Sequence, residues 1–286
     1  MPARITVLSC LFLLFFSAIS IAQRSIPDDN LAYPVLLLFP NGITGSGFYV
    51  NTSKNTYLVT ARHVVFNKDC TDRVGDSVQA LSYSKNPSEQ EKAVLTIDLA
   101  TLQSSGEIRC QPAHDVVVIR VASATAEHQI TMLNAVKVTS VPKSGILGVG
   151  LDTIIRFDQA LEANDIFIFG YPTSLGLKEV PQIDYDRPLL RKGIIAGKNH
   201  AQRLLILDCP VYPGNSGGAV LQVSRQNLAS TFMIVGVVSQ FVPSVETWVN
   251  LNVGYKNSTV YNSGYSVATP MDFVLDLIAA AEAGAT

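Results

Sequence analysis

Apolar positions along this chain fall in short β-rich runs, at 33–39, 47–50, 56–60, 116–121, 166–169, 204–207, 219–223 and 233–240. Gly, Pro, Asn and Ser break the chain between them. Such runs bounded by turn residues predict strands. Ser53-Lys54-Asn55 predicts the turn of a hairpin joining 47–51 to 56–60. Long stretches of 3.6-residue periodicity are scarce, so an all-β barrel or sandwich is expected. The C-terminus departs from this pattern. Thr269-Pro270-Met271-Asp272 predicts a helix start, with Thr269 as N-cap, Pro270 at the first position and Asp272 three residues after the cap. Phe273, Val274, Leu277 and Ile278 then recur at helical spacing, giving a face that should dock on the body. Residues 122–141 are the expected bridge between two halves.

The N-terminus adds a second departure. Arg4 precedes an apolar stretch at 5–19, and Ser20-Ile21-Ala22 follows with small residues at cleavage spacing. This is the pattern of a secretory signal, and the apolar stretch falls short of the roughly 20 residues that a spanning helix needs. A mature chain starting at Gln23, secreted or periplasmic, is expected, with no membrane association after signal cleavage. The 286 residues are 48% hydrophobic and 15% charged, a globular composition. A net charge of −2 without a basic cluster gives no reason to expect a nucleic-acid partner.

Cys10 lies in the leader, which leaves Cys70, Cys110 and Cys209. An odd count in an exported chain implies at least one free or intermolecular thiol. Cys70 and Cys110 flank the first half of the candidate site described next and are the expected pair; three reduced thiols are the alternative.

The candidate chemistry lies in three blocks, Thr60-Ala61-Arg62-His63, His114-Asp115-Val116-Val117-Val118 and Pro213-Gly214-Asn215-Ser216-Gly217-Gly218. A serine hydroxyl needs a base to take its proton as it attacks, and imidazole titrates near neutrality. A carboxylate on the other ring nitrogen fixes the tautomer, and the oxyanion that forms needs preorganised N–H donors. The order of residues discriminates among known arrangements. All four histidines, His63, His114, His128 and His200, precede Ser216, which excludes the α/β-hydrolase elbow. Only Asp28 and Asp29 precede His63, which excludes the subtilisin order. The order His, Asp, Ser remains.

In these blocks the chain resembles the chymotrypsin-fold serine proteases. Further matches are Gly45-Ser46-Gly47-Phe48, Gly236-Val237-Val238-Ser239 and Gly264-Tyr265-Ser266-Val267-Ala268-Thr269-Pro270. Asn215 and the closing strand-to-helix passage are similar to the HtrA-like and glutamyl-endopeptidase branches. The resemblance covers roughly residues 35–280 and implies two six-stranded antiparallel β-barrels with a C-terminal α-helix. The implied divisions are a signal at 1–22, a first barrel at 23–125, a second at 126–268 and a helix with tail at 269–286. No length remains for an appended PDZ domain. By the same resemblance His63 is general base and acid, Asp115 its orienter and Ser216 the acyl-forming nucleophile. The backbone N–H groups of Gly214 and Ser216 form the oxyanion hole, and Ser239, Gln240 and Phe241 pair with substrate backbone.

Four departures refine this expectation. Arg62 replaces a small residue beside the histidine and is expected to point to the surface. Asn215 replaces an aspartate, which removes the ion pair made by a new N-terminus in trypsin-like zymogens. Pro210 and Val238 stand where pocket residues for basic and acidic P1 side chains would be, so a small or medium apolar P1 residue is expected. His114 neighbours Asp115, and in a strand its side chain points to the opposite face, so it reads as structural. No metal-binding or nucleotide-binding pattern occurs, and no cofactor is expected. The whole reads as an exported serine endopeptidase acting on polypeptides. The alternatives are a non-catalytic peptide-binding pseudoprotease and an esterase with the same triad.

Overall fold

The structure is a computed structural model that describes residues 26, 28–86, 88–125, 129–172, 180–185, 187–226 and 229–284. The expected signal and His128 lie outside the described residues. Eight strands follow one another in the first sheet, in the spatial order Ile130–Met132, Val117–Ala124, Asn55–Thr60, Thr44–Asn51, Pro34–Leu38, Ser77–Tyr83, Lys92–Asp98 and Val136–Ser140. Ile108–Cys110 joins it against Val117–Ala124, and Val149–Gly150 lies parallel to Thr44–Asn51. Six strands, Asp165–Gly170, Leu189–Asn199, Leu204–Asp208, Tyr255–Pro270, Ala229–Asn250 and Ala219–Gln226, close into a barrel in that order.

The molecule is thus mostly β, with a C-terminal helix at Met271–Ala283. The first half does not reduce to six strands. Residues 122–141, expected as a bridge, instead supply two strands that extend the first sheet at both ends of its path. The crossing to the barrel follows Gly150.

Period-two alternation decides which core each side chain enters. In Asn55–Thr60, Leu58 faces the core of the first sheet with Leu37, Tyr49, Leu95 and Ile119. Tyr57 and Val59 face the other way, toward Phe167, Phe169, Leu221 and Val237 of the barrel. Both faces are covered, so all six residues of this strand are buried. Ile166, Ile168, Ile195, Leu205, Leu207 and Val235 fill the barrel itself. The final helix seals the seam between the halves with Met271, Val274, Leu277 and Ile278.

The helix starts one residue later than its sequence suggests. Pro270 is the N-cap, and the Thr269 hydroxyl is buried without a hydrogen-bond partner. Asp272 does not cap either: its carboxylate accepts the Phe157 backbone N–H at 2.6 Å and pairs with Arg203 at 2.8 Å. Phe273 packs at the margin of the same cluster and stacks on the His114 ring at 3.4 Å between centroids.

Candidate active site

His63 sits in a one-turn helix, Arg62–Val65, directly after the Asn55–Thr60 strand. Asp115 lies just before Val117–Ala124, and the register pairs Thr60 with Val117. Adjacent strands therefore deliver both side chains to one end of the sheet. Asp115 holds His63 at two points. Its Oδ1 accepts the His63 backbone N–H at 3.0 Å, and its Oδ2 lies 2.8 Å from Nδ1. The Ser239 hydroxyl donates to the same Oδ2. Ser239 can reach because it falls at a register shift between Val238 and Gln240, and such a bulge re-aims a side chain.

Burial pushes the Asp115 carboxyl up, but the His63 ring, the Ser239 hydroxyl and the His63 backbone N–H outweigh it and hold the carboxyl below its ordinary range. The group is therefore an anion at neutral pH. An anion at Nδ1 selects the tautomer with the proton there, leaving Nε2 free to accept.

Ser216 arrives from the barrel, in the turn before Ala219–Gln226. Gly214 and Gly217 adopt φ of +97° and +86°, the left-handed region that glycine tolerates. At Gly217 the need is also steric, since a Cβ would lie 2.1 Å from the Ser46 carbonyl oxygen and the Thr60 hydroxyl. The turn is strapped on both sides. The Gly217 N–H donates to the Val238 carbonyl at 2.8 Å, and the Ser46 N–H donates to the Ser216 carbonyl at 2.8 Å. Asn215 is buried and closes the turn, accepting the Tyr212 N–H on Oδ1 at 3.0 Å. It thus serves the turn itself.

The backbone N–H groups of Gly214 and Ser216 have no protein acceptor among the described residues. Two such donors beside a hydroxyl can receive a developing negative charge. The Ser216 hydroxyl donates a long 3.4 Å bond to the Ser239 carbonyl, and among the described residues it has no bond to His63. Such bonds are often loose before substrate binds.

A cleft of about 530 Å³ takes in Arg62, His63, Asp115, Val211, Tyr212, Pro213, Ser216, Ser239, Gln240 and Phe241. It brings together His63, Asp115, Ser216, Ser239, Gln240 and Phe241; Gly214 adjoins it in the serine turn, and Cys70 and Cys110 do not line it. Arg62 corrects an expectation. Its side chain lines the cleft, its Nε is buried without a partner, and Nη1 reaches the Asp69 carbonyl at 3.3 Å. His200 meets the edge of Phe157 at 5.3 Å and takes no part in the cleft.

Sequence reasoning missed three supports. Ser46, fully buried, donates to the Gly214 carbonyl at 2.6 Å and accepts the Tyr171 N–H at 3.0 Å. Its signal was present in Gly45-Ser46-Gly47, where a polar residue between glycines interrupts an apolar strand. Asn262 donates to the Val211 carbonyl at 2.6 Å, and the Arg191 guanidinium lies 4.4 Å over the Tyr212 ring, so both brace one cleft wall. Cys70 and Cys110 form a disulfide of 2.03 Å, the expected pair. Cys209 is free, and burial pushes its thiol up to about 11.

A family model described as a trypsin-like peptidase domain matches residues 45–229. No curated protein matches the sequence. Among solved structures, the HtrA-type protease AlgW with a tripeptide aligns at 14% identity and a TM-score of 0.47, over 87% of this chain and 59% of its own. This chain therefore spans 59% of the length of that relative. Deg5 aligns at 15% identity and 0.49, over 87% and 88%. Human heparin binding protein aligns at 8% identity and 0.51, over 90% and 94%. At that identity the last likeness speaks for the fold alone.

Proposed function

The chain belongs to the trypsin-like peptidase domain family, and from that premise we propose that it is an exported serine endopeptidase working through an acyl-enzyme. The single observation that carries the reading is the two-point hold of Asp115 on His63, in one cleft with Ser216.

His63 Nε2 takes the Ser216 hydroxyl proton as Oγ bonds to the scissile carbonyl carbon. The oxyanion receives hydrogen bonds from the Gly214 and Ser216 N–H groups. Collapse breaks the C–N bond, and His63 gives its proton to the departing amine. Water then attacks the ester, losing its proton to His63, and a second collapse restores Ser216 and releases the acid. Asp115 stays ionised throughout and stabilises the imidazolium. Ser239, Gln240 and Phe241 form the edge that pairs with substrate backbone, as in other strand additions. The Val211, Tyr212 and Pro213 wall suits a small or medium apolar P1 side chain, so strong cleavage after Arg or Glu rejects that assignment. The signal pattern at 1–22 supports export; the histidine and aspartate belong to the first half, which runs to Gly150 rather than ending at 125, and the serine to the barrel.

Casein and a p-nitrophenyl ester, each with wild type and Ser216→Ala, test the reading. Turnover of both by wild type and neither by the variant is expected. Ester turnover alone favours the esterase, and silence on both favours a peptide-binding module.

A further inference from the structure

The two longest strands outrun the barrel. Leu204–Asp208 pairs with Tyr255–Pro270 only at Tyr265–Ala268, and Ala219–Gln226 pairs with Ala229–Asn250 only up to Val237. From Pro243 to Asn250 and back from Tyr255 to Asn262 the two strands pair only with each other. The result is a two-stranded arm about 25 Å long, at the rise of an antiparallel strand.

An isolated two-stranded ribbon is marginal in water, and this one exposes apolar side chains on both faces. The register puts Val245 opposite Val260 on one face, with Val249 further along it. Trp248, Tyr255 and Tyr261 occupy the other face. Trp248 is 68% exposed, Tyr255 65%, and Leu251 at the tip 89%. Together the arm's exposed apolar side chains amount to about 900 Å² over both faces and the tip, and the aromatic face with Leu251 holds about 600 Å² of it, as large as the largest patch on an ordinary monomer.

We propose that the arm is a homodimer interface whose occupant is the arm of a second copy of this chain. The area is the first argument: the aromatic face with the tip alone supplies the apolar share, a little over half, of the roughly 800 Å² that each partner buries in a stable interface. Charge is the second. From Phe241 to Tyr265 the arm carries one acid, Glu246, and one base, Lys256, so two copies meet without net repulsion. The placement of polar groups is the third. Thr247 and Ser258 satisfy each other at 3.0 Å on one face, while Asn250 and Asn257 sit among the aromatic side chains of the other. A lipid surface would strip the two amide side chains of partners, whereas a second ribbon supplies them, along with pairing for the free strand edges. A two-fold pairing of identical patches is the commonest closed arrangement for a single chain.

Sedimentation velocity of the purified protein over a range of concentrations tests this, with Trp248→Ser/Leu251→Ser as the variant. The wild type should sediment as a dimer that dissociates on dilution. The variant should weaken the dimer on the order of a hundredfold or more, while its thermal unfolding cooperativity stays intact. Ser216 labelling by a fluorophosphonate is read alongside, and its loss or retention bears on the proposed function alone. A wild type that is monomeric throughout overturns the proposal, whether or not it co-floats with phosphatidylcholine–phosphatidylglycerol vesicles. A folded variant that dimerises as tightly as wild type overturns it as well.

Discussion

Replacing Ser46 by Ala removes one oxygen outside the three catalytic blocks, yet the turn carrying Ser216 depends on it. The hydroxyl satisfies two buried backbone groups, the Gly214 carbonyl at 2.6 Å and the Tyr171 N–H at 3.0 Å. Ser46 is fully buried, so solvent does not replace these bonds. Each stranded group costs about 1–3 kcal/mol, and partial relaxation puts the total near 2–4 kcal/mol. For a domain of this size that lowers the melting temperature by roughly 5–12 °C. The functional consequence is separate. Fixing the Gly214 carbonyl fixes the residue whose N–H is the proposed oxyanion donor. Deleting an oxyanion donor outright costs about 10²–10³ in kcat, so loosening one should cost about 10–100-fold with KM nearly unchanged. Ester hydrolysis at a temperature where the variant is fully folded by circular dichroism reads this. A folded Ser46→Ala variant with wild-type kcat would refute the argument that this contact positions Gly214.

Further outcomes follow from the same geometry. Asp115→Asn should lower kcat by about 10⁴ by removing the anion that selects the His63 tautomer. The same substitution should also change acid stability. The Asp115 carboxyl is depressed when folded, so its stabilisation is complete above the ordinary carboxylate range and is lost as pH falls from about 4 through the folded value; urea midpoints should fall less steeply with acid in the variant, and parallel curves count against the pairing. Gly217→Ala places a Cβ 2.1 Å from the Ser46 carbonyl oxygen in a left-handed conformation, so soluble expression or the unfolding midpoint should drop sharply; a variant of wild-type stability contradicts the steric need for glycine at this position. Denatured, unreduced protein starting at Gln23, and so without Cys10, should titrate one thiol, Cys209, which stays unreactive in the native state because burial pushes it up to about 11. Reducing the Cys70–Cys110 bridge, whose residues are 40 apart, should cost about 4 kcal/mol.

The elements that hold the site were readable where a local rule sufficed. Strand runs at 56–60 and 116–121 stood out as β-rich, and pairing them brings His63 and Asp115 to one end. Glycines around Ser216 announced a turn with left-handed residues. What depended on distant partners was not readable. Ser46 stood out between two glycines, but its partner Gly214 lies 168 positions away. Thr269 looked like an N-cap by composition, but strand pairing with Val237 carries Thr269 into the barrel, and the helix begins after Pro270. Arg62 reads as a surface residue until the cleft forms around it. The arm escaped because Pro243, its asparagines and Gly254 are turn signals, while its ribbon has no buried face to impose alternation.

The central claim is that Ser216 is a nucleophile activated by His63. Treating the purified protein with a fluorophosphonate and mapping the adduct by peptide mass spectrometry tests it most directly. The account predicts one adduct, on Ser216, absent in Ser216→Ala and strongly slowed in His63→Ala. No adduct on the folded protein, or labelling that persists in Ser216→Ala, would contradict it.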